Sequence, residues 1–285
     1  MAKSGPSSIE LGAVAVADAT PAAALATATP AGARRWRVRI VRYTISVVGT
    51  LLLWQLMSTY LINPQLLPPP TKVVRTAIPM VRTAELPTHA VASMARIAVG
   101  FALGSAVGVF LGLLMGRLPL VSDLADPPTQ LFRFLSPTAV IPLAIIWFGI
   151  GETSKYFLIF YATVFIVLVS TITGVVSTPR VRVRAAQAMG SSQAQIFLHI
   201  ILPSAMPHVV SGMRVALASA FMAIIPAEML AAQSGLGYLL QQSGLLVQTD
   251  KIFVALAVIA LLGFLADLVF RLVTRRLLAS YIDIA

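Results

Sequence analysis

Long apolar runs separated by short polar stretches dominate the chain from about residue 43 onward. A helix needs roughly 20 mostly apolar residues to cross a membrane, and about six segments meet or approach that length. The third is the least regular because it contains Pro137 and Pro142, so we expect a kinked helix there or a short interfacial helix before it. The predicted spans cover about residues 43–62, 92–116, 129–150, 154–176, 208–231 and 252–274.

The stretches outside these runs differ in character. Residues 1 to about 33 are rich in Ala, Thr, Pro and Ser and predict disorder, so we assign 1–42 to a basic cytoplasmic tail and 43–285 to the transmembrane domain. Residues 71–90 predict a short amphipathic helix on the membrane face. Residues 233–250 are too polar and too short to span, and they predict a short external or re-entrant helix after Gly237.

Lys and Arg residues near the helix ends predict the orientation of the chain. Three basic clusters, at 34–42, 180–184 and 271–276, fall on one side of the predicted spans, whereas the other side receives far fewer cations. Because cytoplasmic loops carry the excess of Lys and Arg, we expect both termini in the cytoplasm.

Composition supports a membrane protein. Hydrophobic residues make up 58% of the chain and charged residues 11%, against about 25% charged residues in soluble domains. The net charge of +11 does not indicate nucleic-acid binding, because the cations cluster between apolar runs without interleaved aromatics. The lack of cysteine excludes disulfides and thiol chemistry, and the three histidines lack the spacing of metal ligands: His89, His199 and His208.

The internal loop 177–207 has the pattern of two short helices joined by a sharp turn. Thr178 and Pro179 predict the start of the first helix, which we expect to run to Met189. Gly190 is the natural stop, since glycine tolerates a left-handed backbone.

The second short helix is predicted by the capping-box spacing of Ser192 and Gln195, and Pro203 is expected to end it. Apolar residues recur at helical spacing along both helices. They either form a docking surface for a cytoplasmic partner or pack against the ends of the protein's own helices.

The loop resembles the EAA loop of ABC importer permeases, which reads Glu-Ala-Ala, three residues, Gly, nine residues, Ile, one residue, Leu-Pro. Arg184 stands where that family has glutamate. This difference affects any salt bridge that the family forms from this position, but it does not affect the helix–turn–helix shape. By resemblance the loop supplies a coupling helix for a separate ATPase subunit. The residues assigned to coupling are Arg184, Ala185, Ala186, Met189, Gly190, Ile196, Ile200, Leu202 and Pro203.

The resemblance extends over nearly the whole chain after residue 45. The chain is similar to permeases for nitrate, taurine and alkanesulfonates in five stretches: LLPPPTKV (66–73), AVIPLAIIWFGIGETSK (139–155), AEML (227–230), SGLGYL (234–239) and QTDKI (248–252).

The fold that this resemblance implies is an all-α, type I (MetI-like) ABC importer permease with a cytoplasmic coupling helix, in a bacterial inner membrane. It implies a homodimer, two cytoplasmic ATPase subunits and an extracytoplasmic binding protein that delivers a small anion or zwitterion.

The chain contains no GxxxxGK[ST] loop, so we expect it to be a non-catalytic subunit that binds no cofactor, with ATP and Mg²⁺ on the partner ATPase. Two other functions stay open from the residues alone. One is an ion-gradient-driven secondary transporter, which predicts inverted repeats and ionisable residues at the midplane. The other is a membrane scaffold whose loop merely binds a partner.

Ionisable residues inside spans are functional candidates because they are costly in lipid. Glu228 is a candidate for the translocation path, and pairing with an arginine or snorkelling to the interface are its alternatives. Arg214 either lines the path or anchors the inner end of its helix, and Asp267 is expected to pair with Arg271. A stripe of small residues predicts a close helix–helix contact, within the chain or at a dimer seam: Gly100, Gly104, Gly108 and Gly112.

Overall fold

The computed structural model describes residues 31–61 and 63–277, and the regular secondary structure of these residues is helical throughout. The predicted tail over residues 1–30 lies outside the described residues. Contacts divide the chain into two units, Met1–Trp54 and Gln55–Ala285. Helix α1, Ala31–Leu56, begins inside the segment assigned to the tail, so the basic residues between 34 and 42 belong to a helix.

The second unit is an all-helical assembly that opens with a π-helical turn, Met57–Leu61. Its helices are α2 (Pro70–Arg82), α3 (Glu85–Arg117), α4 (Pro119–Arg133), α5 (Ile141–Phe148), α6 (Glu152–Val176), α7 (Arg180–Ala188), α8 (Gln193–Ile196), a second π-helical turn (Phe197–Ile201), α9 (Leu202–Ala231), α10 (Leu236–Leu245) and α11 (Thr249–Leu277).

Within the described residues, four helical segments are long and apolar enough to cross a membrane. They contain the predicted spans at 92–116, 154–176 and 252–274 and all but the last residue of 208–231, and the all-α membrane fold is therefore confirmed. Their bounds are Glu85–Arg117, Glu152–Val176, Gln193–Leu230 and Thr249–Arg276.

The predicted span over 129–150 is not one continuous helix. Helix α4 ends at Arg133, and α5 has 8 residues, about 12 Å, which is too short to span. Pro137 disfavours the helical conformation at Ser136, so the chain turns there. Of the predicted span over 43–62, residues 43–61 lie on α1 and the π-helical turn, which are not among the four apolar helices, and residue 62 lies outside the described residues.

The two short helices predicted beside the spans are present. Helix α2 buries Val73 and Met80 on one face and ends at Arg82, so the amphipathic helix is shorter than the predicted 71–90. Thr76 donates a hydrogen bond of 2.9 Å to Asp250 at the start of α11. Helix α10 occupies the middle of the polar stretch 233–250, as expected.

The glycine stripe of α3 packs against α6 of the same chain, so close contact is confirmed and the stripe is not free for a dimer seam. A Cβ at Gly104 would lie 1.9 Å from Thr163 Oγ1, which leaves room for glycine alone. Gly100 faces Ile159 and Gly112 faces Thr171, so the two helices run in the same direction.

Helix α9 completes this core by crossing α6 in the opposite direction. Gly212 lies against Ser170, and Gly174 lies against Ala205, so small residues again permit a close approach. The three helices bury a common apolar cluster: Ile97, Ile159, Leu217, Ala220 and Ile224.

Replacing Gly104 with alanine is expected to destabilise the chain by about 1–3 kcal/mol, because the added methyl group forces α3 away from Thr163. Thermal unfolding in detergent measures the effect. Gly104→Ala combined with Thr163→Ala should recover most of the loss, since it removes the clashing hydroxyl. Gly244→Ala is the control, as a Cβ there meets no atom within 4 Å. Equal losses with and without Thr163→Ala would contradict this packing.

Candidate functional site

The first helix of the predicted coupling loop is α7, and Gly190 ends its terminal turn as expected. Gly190 has φ +79°, the left-handed conformation that favours glycine. The start of the helix differs from the prediction, because Pro179 is the N-cap residue and Thr178 forms no cap. Among the described atoms, Thr178 Oγ1 is buried and has no hydrogen-bond partner.

The second helix starts with the predicted capping box. Ser192 N donates to Gln195 Oε1 at 2.8 Å, and Gln195 N donates to Ser192 Oγ at 3.3 Å. The predicted end at Pro203 is wrong, because α8 continues through the second π-helical turn into α9. The π-helical turn, with its irregular hydrogen bonding, lies just before Pro203, which has no N–H to donate. The chain from Gln193 to Ala231 is therefore one helical rod.

The residues assigned to coupling divide between two faces of the loop. Ala186 and Ile196 are buried within the chain, and Ile196 is only 1% exposed. Met189, directly after the end of α7, is 78% exposed, and so is Val181 on α7, which is not among the assigned residues. An apolar strip therefore lies open on the outer face. The other exposed assigned residues are Arg184, Ala185 and Gly190, and those of intermediate burial are Ile200, Leu202 and Pro203.

The last residue of α3 holds the second part of this loop. Arg117 Nη2 donates to the carbonyl oxygen of Gln193 at 3.3 Å. The Arg117 guanidinium also lies 4.6 Å from the centre of the Phe197 ring, within the range of a cation–π contact. The end of α3 is thus fixed to the start of the long helical rod.

A buried ionic cluster lies at the opposite end of the same helices. Arg96 on α3 donates two hydrogen bonds to Glu152, of 2.6 and 2.8 Å, and one of 2.7 Å to Glu228. The same guanidinium donates to the Ser234 carbonyl oxygen at 2.6 Å. Arg96 therefore connects the start of α6, the end of α9 and the turn before α10.

Glu228 also binds the turn that leads into α10. Its carboxylate accepts hydrogen bonds from Ser93 Oγ, at 2.8 and 2.9 Å, and from Gly237 N at 2.9 Å. Gly235 has φ +122°, and a Cβ there would lie 2.3 Å from the Glu228 side chain. The backbone of the turn also donates from Gly235 N to His89 Nδ1, at 3.0 Å. Only a turn built on glycine lies this close to the carboxylate.

The charges of the cluster balance. Lys155 contacts Glu152 at 2.9 Å, so two cations face two carboxylates. Glu228 is fully buried, and Arg96 is only 5% exposed. A buried charge is tolerated when it is paired and hydrogen-bonded, as Arg96, Lys155 and Glu228 are, whereas the Glu152 side chain is 49% exposed.

Both candidates for the translocation path are engaged in ion pairs within the chain. Glu228 pairs with an arginine and is completely enclosed, so the arginine-pairing alternative holds in this structure. Arg214 pairs with Asp267 at 2.6 Å, and Asp267 also forms the predicted pair with Arg271, at 3.2 Å. Arg214 and Glu228 stand about 21 Å apart along α9, so the structure does not bring them into one site.

The partners of Glu228 were not predicted from the sequence. Arg96 lies inside an apolar run, and an arginine in such a run needs a buried acid to pair with. Ser93 precedes it by one helical turn, so both side chains share a face. These two signals mark the α3 part of the cluster, whereas the contributions of Glu152 and Ser234 depend on tertiary packing.

Comparisons with known proteins identify the family of this chain. A family model described as binding-protein-dependent transport system inner membrane component matches residues 104–279. The taurine transport system permease protein TauC of Escherichia coli (strain K12) is 37% identical over 253 residues, which cover 85% of this chain and 92% of that protein. The nitrate import permease protein NrtB of Synechocystis sp. is 26% identical over 238 residues, 80% of this chain and 86% of that protein.

A solved structure shows a similar fold. The chain superposes on a chain of the MetNI methionine ABC transporter in an inward-facing conformation with a TM-score of 0.51 and 20% identity. The match covers 64% of this chain and 93% of the other.

Proposed function

Because this chain belongs to the family of inner membrane components of binding-protein-dependent transport systems, it is an ABC transporter permease, and we propose that it imports a small anionic or zwitterionic solute. The relatives are named for taurine and nitrate, and the same stretches of sequence resemble permeases for alkanesulfonates. The proposed substrate class is therefore a sulfonate, taurine or nitrate.

The structure of the coupling segment, residues 177–207, is the main support for this mechanism. It is stiff, because a capping box and a left-handed glycine fix the turn between its two helices. Its inner face is anchored by Ile196, and Val181 and Met189 are exposed on its outer face. An exposed apolar strip bordered by arginines fits a protein partner.

That partner is a cytoplasmic ATPase subunit. This chain has no phosphate-binding loop of the GxxxxGK[ST] type, so ATP and Mg²⁺ belong to the partner. The working assembly contains two copies of the permease, two ATPase subunits and an external solute-binding protein. Both termini and the coupling segment face the cytoplasm, in agreement with the basic clusters at 180–184 and 271–276.

Reconstitution of the complete complex in proteoliposomes tests this function. In vesicles whose lumen faces the cytoplasmic side of the complex, we expect ATP in the lumen to drive uptake of taurine, an alkanesulfonate or nitrate. The binding protein must be present outside the vesicles. Omitting the ATPase subunit should abolish uptake. Uptake that follows an imposed ion gradient without ATP would contradict the proposal and support a secondary transporter.

A further inference from the structure

We propose that α3 is a strut that makes the coupling segment and the turn Ser234–Gly237 move together, with Arg117 and Arg96 as its two fastenings. This inference rests on the proposed function and assigns to both arginines a positioning role in transport. Neither residue needs to contact the solute, because each acts through the helices that it holds.

The first fastening lies at the coupling segment. Arg117 reaches the Gln193 carbonyl oxygen and the face of the Phe197 ring. These two residues belong to α8 and the π-helical turn, directly after the turn at Gly190. A displacement of the coupling segment therefore acts on the end of α3 as well as on α9.

The body of the strut is rigid because its glycine stripe seats it directly on α6. Contacts recur from Gly100 against Ile159 to Gly116 against Val175, so the two helices meet along most of their length. Close-packed interiors transmit strain and do not absorb it. Arg96 and Arg117 stand about 32 Å apart along α3, which is close to the hydrocarbon thickness of a bilayer.

The second fastening joins three elements that otherwise end separately. Arg96 donates two hydrogen bonds to Glu152 and a third hydrogen bond to Glu228. Glu152 begins α6 and Glu228 lies near the end of α9, the two helices that flank the coupling segment. Without the cation between them, the two carboxylates would repel each other, and the helix ends would no longer be held together.

The second fastening also holds the turn Ser234–Gly237, which precedes α10. Arg96 binds the Ser234 carbonyl oxygen, and Glu228 binds the Gly237 amide, so the turn is held from both sides of the ion pair. Leu236 N donates to Ser93 Oγ at 2.8 Å, which gives the turn a further contact with α3. Movement of α3 therefore displaces α10, which lies on the side opposite to the coupling segment.

Transport measured per ATP hydrolysed separates this role from a purely structural one. The variants are Arg117→Gln and the neutral pair Arg96→Gln with Glu228→Gln, which leaves no stranded buried charge. We expect ATP hydrolysis by the assembled complex to persist, while uptake per ATP falls about tenfold, the size of an ordinary coupling free energy between two sites. Arg133→Gln is the matched control, since this exposed arginine contacts its neighbour Phe134.

Spin labels give a readout that does not depend on the choice of solute. The chain has no cysteine, so single labels can be introduced at Val176→Cys, 71% exposed beside the coupling segment, and at Leu245→Cys, 76% exposed at the end of α10. In the wild-type background, we expect ATP to change the distance between the two copies of each label. In the Arg96→Gln/Glu228→Gln background, the change at Val176→Cys should persist and the change at Leu245→Cys should be lost.

The outcomes distinguish the two proposals. Wild-type complex that fails to take up the tested solutes, yet shows linked movement at both labels that the variants disconnect, would overturn the substrate class and leave the strut supported. Unchanged uptake per ATP in the variants, or loss of ATP hydrolysis in parallel with uptake, would overturn the strut.

Discussion

Replacing Arg96 with glutamine is expected to lower the free energy of unfolding by about 3–5 kcal/mol. The substitution leaves Glu228, which is fully buried, as a carboxylate without its cation. Ser93 and the Gly237 amide still donate to it, but two hydrogen bonds do not replace a charge partner in a low-dielectric interior. Thermal unfolding of the detergent-solubilised protein measures the loss, as a fall of about 10 °C in melting temperature.

A double-mutant cycle identifies the cause of that loss. Adding Glu228→Gln to Arg96→Gln removes the stranded charge, so the double variant should be more stable than Arg96→Gln alone. The pair Lys251–Glu85 is the control because it is partly exposed and 3.7 Å long. Lys251→Gln should change stability by about 0–1 kcal/mol. Strictly additive effects of the two cluster substitutions would show that Arg96 and Glu228 do not stabilise each other.

Gly190→Pro is expected to abolish ATP-driven uptake while leaving membrane insertion intact. Proline fixes φ near −65°, whereas Gly190 has φ +79°, so the turn between α7 and α8 cannot form. Proline also removes the Gly190 N–H that donates to the Gln187 carbonyl oxygen at 3.0 Å. Uptake by the reconstituted complex and the fraction of protein in the membrane measure the two effects separately.

Gly190→Asn is the matched variant for this prediction. A Cβ at Gly190 meets no atom within 4 Å, so a side chain fits, and asparagine tolerates the left-handed conformation. We therefore expect Gly190→Asn to retain most of the uptake. Full uptake by Gly190→Pro would show that the proposed coupling role does not depend on this turn.

Features set by local rules were predicted from the sequence. The capping box of Ser192 and Gln195 depends on a spacing of three residues, and the left-handed turn depends on Gly190 alone. The glycine stripe of α3 repeats every four residues and marks one helix face. Each of these signals lies within one or two helical turns, where sequence spacing determines which side chains are neighbours.

Features set by tertiary contacts were not predicted. Arg96 and Glu228 lie on different helices, and the spacing between them in the sequence carries no information about their pairing. The continuation of α8 through Pro203 was not predicted either, because a proline inside a helix usually breaks or kinks it, and the π-helical turn before Pro203 has no clear sequence signal. The partner of the glycine stripe was left open for the same reason, since small residues favour any close neighbour.

The shared direction of α3 and α6 explains the break in the segment between them. Two parallel helices cannot be joined by a tight turn, so residues 118–151 must travel back along the full length of both. Helix α4 supplies about 22 Å of that return and α5 about 12 Å, which together match one bilayer crossing. The return path is therefore made of two pieces, and the bend between them places α5 beside the first turns of α6.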